Sequence, residues 1–188
     1  MTDVANPEGG AGSTRSVDAL SAERRSKRDY LSDQGIDPYP SRFDRSHTTA
    51  ELRQKYGELP PDARTGETVQ VAGRIMSVRG HGKLVFLTLQ DVSGPIQLLV
   101  PVSNLSKDAA IVLDKSDLGD WVGAVGEVIV SRRGELSVEL TDLQLLSKAL
   151  RPLPDKWHGL SEAEMRYRQR EVDLLANEDT RRVFGIRF

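Results

Sequence analysis

Cysteine is absent from the 188-residue sequence. Its absence excludes disulfide bonds and thiolate metal sites, and it is typical of a protein from a reducing compartment. The three histidines, His47, His81 and His158, lie far apart and lack the spacing of metal ligands. We therefore expect no metal site on this chain.

Long apolar runs and an excess of basic charge are also lacking. The sequence has no stretch of about 18 apolar residues, so no membrane-spanning helix is predicted. Residues 1–16 do not combine a basic with an apolar stretch and are not a secretory signal. The net charge is −2, whereas proteins that wrap duplex DNA are usually basic. These features predict a cytoplasmic protein without membrane contact, in which a local surface binds any nucleic acid.

Composition and periodicity divide the chain into four regions. Residues 1–16 are rich in Gly, Ser, Asn and Pro and predict a disordered tail. Residues 17–66 form a helical extension, with helices over 17–34 and 48–56. Residues 67–147 have the two-residue period of strands. Residues 148–188 read as a linker and a helix, followed by a charged segment.

The last helix has a recognisable start signal. Ser161 and Glu164 form the S-x-x-E capping box, which pairs free amides at a helix N-terminus. We expect this helix to end near Ala176 and the charged segment to begin at Glu178.

The region with a two-residue period predicts five strands and one helix. Three strands follow one another, a helix lies between residues 103 and 117, and two strands follow. This is the chain order of an OB-fold, a five-stranded, partly open Greek-key barrel. A generic β-barrel or sandwich is the alternative, and the helix after the third strand favours the OB-fold. The predicted strands span residues 68–79, 84–91, 95–102, 121–131 and 135–146.

Alternation on these strands separates an aliphatic face from a polar one. Val85 and Leu87 are predicted to point into the barrel, which leaves Phe86, Gln97 and Glu135 on the outer face. OB-folds bind oligonucleotides on such a face. An aromatic ring can stack on a base, a Gln amide can both donate and accept, and a carboxylate accepts from a base N–H. An exposed Phe is also often covered by a loop. Gln97 alone is typical of an ordinary exposed strand position, and Glu135, which follows Gly134, is typical of a surface charge next to a turn.

Seven basic residues are candidates for phosphate or RNA contacts, which position a nucleic acid without reading its sequence. Three lie on or near the first two strands. The other four lie on the first predicted helix, within five consecutive positions. A solvated helix face is the alternative for these four. The candidates are Arg74, Arg79, Lys83, Arg24, Arg25, Lys27 and Arg28.

Several further segments are informative when they are taken in chain order: QGIDPYPSRF, VAGRIMSVRGHGKLVFLTLQD, GPIQLLV, LGDWVGAVGEV, GELSVEL, KALRPLPDKWHGL and MRYRQREVDLL. In this order they resemble the N-terminal part of bacterial-type class II lysyl-tRNA synthetases. KALRPLPDKWHGL followed by RYRQR is highly specific, whereas the F-x-TLQD strand and the IQ pair are shared with aspartyl- and asparaginyl-tRNA synthetases.

The resemblance implies a barrel that binds the anticodon of tRNA. Phe86 would stack on an anticodon base, and Gln97 and Glu135 would help to recognise the central uridine. The ATP- and lysine-binding motifs of the family would lie beyond Phe188. The chain alone is therefore expected to be non-catalytic and to need no cofactor, while ATP and Mg²⁺ are implied for the absent catalytic domain. That domain, the tRNA and a second copy of the chain, as a homodimer, are the partners considered.

The length leaves three origins open: a fragment, a truncated gene product or a free-standing relative of the anticodon-binding domain. Two alternative functions also remain open. The chain could be an interaction module, in which the terminal helices dock a partner protein or a second copy and the barrel face is idle. A general single-strand-binding protein is disfavoured, because only one aromatic residue is predicted on the binding face and that class stacks several bases.

Overall fold

The computed structural model describes residues 16–80, 82–153 and 163–187. A short 3-10 turn at Val102–Asn104 lies between the third strand and the third helix. The elements, in chain order, are α1 (Val17–Asp33), α2 (Thr49–Tyr56), β1 (Arg64–Arg79), β2 (Leu84–Asp91), β3 (Gly94–Pro101), α3 (Lys107–Lys115), β4 (Trp121–Val130), β5 (Leu136–Ser147), α4 (Ala163–Arg168), α5 (Arg170–Ala176) and α6 (Glu178–Arg187).

The five strands close into a barrel in the order β1-β2-β3-β5-β4. Neighbouring strands are antiparallel, except that β3 and β5 pair in parallel. Helix α3 connects β3 to β4 and packs against β5. This topology is that of an OB-fold, so the predicted fold class is confirmed.

The barrel interior holds the aliphatic side chains that alternation assigns to it. On β2 and β3, Leu87, Leu89, Leu98 and Val100 are fully buried, and the residues between them are only half-buried. Removal of these side chains from water is the main stabilising contribution to the barrel. The same interior includes Val69, Val71, Ile75, Val138 and Leu140.

Both N-terminal helices begin at capped residues and pack on the barrel. The Ser16 hydroxyl accepts the backbone N–H of Ala19, 3.2 Å away, at the start of α1. At α2, Thr48 and Glu51 form a reciprocal capping box, which satisfies two amides that the helix leaves free. Leu31 of α1 is buried in the core of the barrel. The helical extension is therefore part of one hydrophobic core with the strands.

A glycine on β4 allows the segment between α1 and α2 to lie close to the barrel. A Cβ atom at Gly123 would be 2.4 Å from the ring of Phe43, closer than two carbon atoms can approach. The ring of Phe43 thus occupies the space that a side chain at position 123 would need, and glycine leaves it free.

A buried ion network joins α1 to the end of β5. The fully buried ammonium of Lys148 pairs with Asp117 and Asp120, which lie between α3 and β4. Lys27 of α1 adds a second cation, 2.6 Å from Asp117. Burial alone would raise the pKa of Asp117, but hydrogen bonds from Lys148 and Lys27 outweigh it and lower the pKa below its usual value.

Several element boundaries differ from the predicted ones, among them the start of β1 and the extent of the C-terminal helix. Strand β1 begins at Arg64, because a bulge between residues 64 and 68 carries Gly66 in the left-handed conformation, with φ of 68°. The sequence predicts this strand only from residue 68. Near the C-terminus, the predicted single helix is interrupted at Gln169, whose φ and ψ of −118° and 58° are not helical. The charged segment that follows is a third helix, α6.

Two predictions fall on residues that the structure does not describe. The predicted disordered tail spans residues 1–16, of which only Ser16, the N-cap of α1, is described. Ser161 of the predicted capping box is also outside the described residues. The division of the chain into domains stays a prediction.

Candidate nucleic-acid interface

A cleft of about 1010 Å³ lies on the outer side of the barrel. Strands β1, β2 and β3 form one wall, and the turn between β4 and β5 forms another. The lining combines apolar side chains with charged ones of both signs. Its lining includes Phe86, Gln97 and Glu135, the three residues selected from strand alternation.

Phe86 occupies the β2 part of this wall. It is half-buried, between the fully buried Leu87 and the half-buried Val85. In the strand register it lies opposite Arg79 of β1 and Leu99 of β3, which both line the cleft as well. A cation, an aromatic ring and an aliphatic side chain therefore form one row across three strands.

Gln97 lies on β3, opposite Thr88 of β2 and Ser137 of β5. Its Nε2 donates a hydrogen bond to Ser137 Oγ, 2.9 Å away. The Ser137 hydroxyl in turn donates to the backbone carbonyl of Glu135, 3.0 Å away. Ser137 is fully buried, whereas Gln97 is half-buried. The Gln97 amide is thus held from behind by the barrel wall.

Glu135 stands at the end of the β4–β5 turn, directly before β5. Its backbone N–H donates to Ser131 Oγ at 3.0 Å, and its carbonyl accepts from Ser131 N at 2.9 Å. Gly134 completes this closed turn with a positive φ of 81°. The Glu135 side chain is exposed, and its carboxylate has no hydrogen bond or ion pair with any of the described residues. It is free to accept from a ligand.

Basic residues surround the cleft, and one of them is a predicted contact, Arg79. Arg132 and Arg133 lie in the same turn as Glu135 and are exposed. Arg64 is bound between the carboxylates of Glu127 and Glu139, at 2.8 and 2.7 Å.

Hydrogen bonds from Arg64 and from the backbone N–H of Gly66 lower the pKa of Glu127. Arg53 of α2 donates to the Pro95 carbonyl. Alternation missed these arginines, although the Arg-Arg pair just before Glu135 is a readable signal.

Two predicted contacts on the first strands lie elsewhere. The Arg74 guanidinium donates to the Gly119 carbonyl at 2.8 Å and lies 5.2 Å from the ring of Trp121. Its burial lowers its pKa below the usual arginine value. Lys83 is exposed in the β1–β2 hairpin and does not line the cleft.

The four basic residues of α1 do not line the cleft either. Arg24 is 8% exposed and donates to the carbonyls of three residues, Leu118, Ala149 and Arg151, at 3.0 to 3.1 Å. Because its guanidinium is occupied inside the protein, Arg24 is a weaker candidate than an exposed arginine, and its contact with RNA stays a prediction. Lys27 pairs with Glu23 and Asp117, and Arg28 with Asp29. Arg25 is exposed.

Within the described residues, no three His, Asp or Glu side chains are grouped so that they could hold a metal ion. The helices of the described part of the chain include none long and apolar enough to cross a membrane. The side chains that line the cleft offer an aromatic ring, hydrogen-bonding groups and charges of both signs.

Comparison with known proteins agrees with this chemistry. Residues 69–146 match a family described as an OB-fold nucleic acid binding domain. The chain is 43% identical to a lysine–tRNA ligase of Carboxydothermus hydrogenoformans, over 87% of the chain and 33% of the relative. It is 45% identical to the lysine–tRNA ligase of Bacillus subtilis, over 86% of the chain and 33% of the relative.

A third relative shows the same partial coverage. The chain is 46% identical to the lysine–tRNA ligase of Pediococcus pentosaceus, over 84% of its own length and 32% of the relative. The chain therefore spans about a third of the length of these curated relatives. It is similar to the N-terminal region of lysine–tRNA ligases, and within it residues 69–146 match an OB-fold nucleic acid binding domain.

Proposed function

We propose that this chain binds the anticodon of lysine tRNA, as the N-terminal part of a lysine–tRNA ligase. One observation carries the proposal: an aromatic ring, a held amide and a carboxylate to which no described residue donates line a single cleft on an OB-fold. The sequence identity of 43% to 46% with lysine–tRNA ligases supports tRNA as the nucleic acid that is bound.

Phe86 is the stacking residue of this proposal. Every base has a π-face, so stacking contributes affinity with little choice of sequence. Its neighbours Arg79 and Leu99 limit the positions available to a base next to the ring.

Gln97 and Glu135 are the residues that choose the base. Uracil carries one imino N–H between two carbonyl oxygens, so an amide can accept from that N–H and donate to a carbonyl. The Glu135 carboxylate only accepts, and it would repel a phosphate. A surface that held only the RNA backbone would gain nothing from this carboxylate.

The positive charge for the RNA backbone comes from residues around the cleft. Arg79, Arg132 and Arg133 line it and are the proposed phosphate contacts. Lys83, Arg25 and Arg28 are exposed or half-buried outside the cleft and stay proposed contacts for more distant parts of the tRNA. Arg24, Arg74 and Lys27 are engaged inside the protein and are weaker candidates.

The activity of the whole relative extends the proposal beyond this chain. A cytoplasmic lysine–tRNA ligase would attach lysine to its tRNA with ATP and Mg²⁺, which a separate catalytic domain would bind. That domain and a second copy of the chain are the proposed protein partners. The contribution of the present residues is recognition.

A binding experiment tests the recognition. Anticodon stem-loops that differ only in the central base would be titrated against the chain, with fluorescence anisotropy as the readout. We expect the uridine form to bind more tightly than forms with cytidine, adenosine or guanosine. Equal affinity for all four would contradict base recognition, and absence of binding to any would contradict the function as a whole.

A further inference from the structure

We propose that Ser137 sets the choice between uridine and cytidine, by fixing the orientation of the Gln97 amide. Ser137 would be a positioning residue: it is fully buried and acts on a base only through Gln97. This inference rests on the proposed function and names the residue that makes base recognition by Gln97 selective.

The hydrogen-bond chain behind Gln97 determines which amide atom faces the barrel. A serine hydroxyl has one proton, and that of Ser137 is donated to the Glu135 carbonyl. Towards Gln97 the Ser137 oxygen can therefore only accept. Only the NH₂ group of the amide can satisfy it, so Nε2 faces Ser137 and Oε1 faces away. No hydrogen bond to Oε1 comes from the described residues.

Base chemistry makes this orientation matter. Uracil presents an N–H donor at N3 beside carbonyl acceptors, whereas cytosine presents an acceptor at N3 beside an amino donor. A glutamine amide offers one acceptor and one donor side by side, and its terminal torsion is broad and roughly two-fold. A free amide can rotate by 180° and pair with either pyrimidine. An amide that is held in one orientation pairs with one of them.

The energetic preference for one orientation of the Gln97 amide is modest, because the Ser137 hydroxyl can rotate when the amide does. If Gln97 rotated, the Ser137 proton would have to leave the Glu135 carbonyl and turn to Oε1. The Glu135 carbonyl would keep its bond from Ser131 N, at 2.9 Å. One hydrogen bond is therefore lost, which corresponds to roughly 3- to 10-fold in selectivity.

The same contact makes the decisive variant tolerable to the fold. In Ser137→Ala the Glu135 carbonyl still accepts from Ser131 N, so no buried acceptor is left without a partner. Thr141 offers a matched control on the same strand. Its hydroxyl donates to the Val125 carbonyl at 3.2 Å and does not line the cleft.

The experiment compares stem-loops with uridine or cytidine at the central position, bound to the 188-residue chain. The wild-type protein is expected to prefer uridine. Ser137→Ala should bind the uridine form about as tightly and the cytidine form more tightly, so that the ratio of the two affinities falls by roughly 3- to 10-fold. Thr141→Ala should keep the wild-type ratio. Ser137→Thr, which retains a hydroxyl at this position, should also keep the wild-type ratio.

An unchanged ratio in Ser137→Ala overturns the inference and leaves the proposed function intact. A wild-type protein without preference between the two stem-loops overturns base recognition, and this inference with it. If Ser137→Ala does not fold, Ser137→Cys carries the test, because its sulfur is similar in size and a weaker acceptor. That variant should show an intermediate ratio, and a wild-type ratio would overturn the inference.

Discussion

Phe86 lines the cleft, where its ring can contact a ligand, and it does not belong to the hydrophobic core of the barrel. Its two strand neighbours point into the interior, while Phe86 itself is half-buried in the wall of the cleft. Because the core is complete without this ring, its removal should act mainly on binding.

Phe86→Ala should weaken binding of the uridine stem-loop by about 1–3 kcal/mol, the contribution of stacking on one base. Phe86→Leu keeps apolar contact and loses the π-face, so its binding should fall nearly as far, while its urea unfolding stays close to wild type. Anisotropy titrations and unfolding curves measure the two effects. Wild-type affinity in Phe86→Leu would show that the side chain fills space and does not stack.

The arginine pair of the β4–β5 turn should contribute affinity without selectivity. Each phosphate neutralised on a single strand adds about 0.7 to the slope of log K against log salt concentration. The double variant Arg132→Ala, Arg133→Ala should therefore lower the slope by about 1.4 and weaken all stem-loops alike. Arg25→Ala, on α1 and outside the cleft, is the control. If Arg25→Ala lowered the affinity and the salt dependence equally, the RNA backbone would contact α1 and not only the β4–β5 turn.

Residues on strands were predictable from the sequence, and residues that depend on distant contacts were not. Alternation assigned Phe86 and Gln97 to the outer face because side chains on a strand change sides at every residue. Arg132 and Arg133 lie in a turn, which has no such period. Nothing near Arg24 in sequence indicates that its guanidinium reaches the Ala149 carbonyl.

At the scale of elements, one carboxylate fastens α2 to the β2–β3 hairpin. Asp91 is 8% exposed and accepts from the backbone N–H of Thr49 at 2.9 Å, from the Thr49 hydroxyl, and from the Ser93 backbone and hydroxyl. Burial would raise the pKa of Asp91, but the hydrogen bonds from Thr49 and Ser93 outweigh it and lower the pKa. The ionised form therefore stabilises the fold.

Asp91→Asn should destabilise the protein at pH 7 by about 1–3 kcal/mol, because an NH₂ group would replace one acceptor and leave a buried donor unpaired. The folded pKa is lowered, so the stabilisation is complete above the unfolded pKa of about 3.9 and is lost as pH falls through the folded value. Urea unfolding from pH 7 to pH 3 should show the two proteins converging in acid.

Asp44→Asn is the matched control for Asp91→Asn. Asp44 pairs with Arg42 at 2.8 Å, but both side chains are largely exposed. Exposed pairs contribute little to stability, so this variant should unfold like wild type at every pH. A constant difference between Asp91→Asn and wild type down to pH 3 would contradict the role of the ionised carboxylate.

Element types were more predictable than element boundaries. The hydrophobic period predicted five strands and the α3 helix, because burial on one face imposes it. It could not locate the start of β1, where Gly66 sits inside a bulge, or the interruption at Gln169. Near that interruption, Asp173 of α5 accepts from the Arg166 and Arg170 guanidiniums and from the Thr180 hydroxyl. Such contacts join three short helices and leave no periodic signal.

At the scale of the whole molecule, Arg24 connects regions that are far apart in sequence. Its guanidinium links α1 to the loop before β4 and to the segment after β5, through the carbonyls of Leu118, Ala149 and Arg151. Lys27, one turn further along α1, joins the buried network of Lys148. The basic face of α1 thus has a structural part, which points into the protein, and an exposed part at Arg25.

Arg24→Met separates these two parts. Methionine keeps the apolar stem and removes the guanidinium, so three carbonyls lose a donor and α1 should detach more readily. We expect faster hydrogen exchange of the α1 amides and unchanged affinity for the uridine stem-loop, since no residue of α1 lines the cleft. Arg25→Met, one position further on the exposed side, should leave exchange at the wild-type rate. Loss of RNA affinity in Arg24→Met with normal α1 exchange would instead make Arg24 a direct contact, against its burial in the free protein.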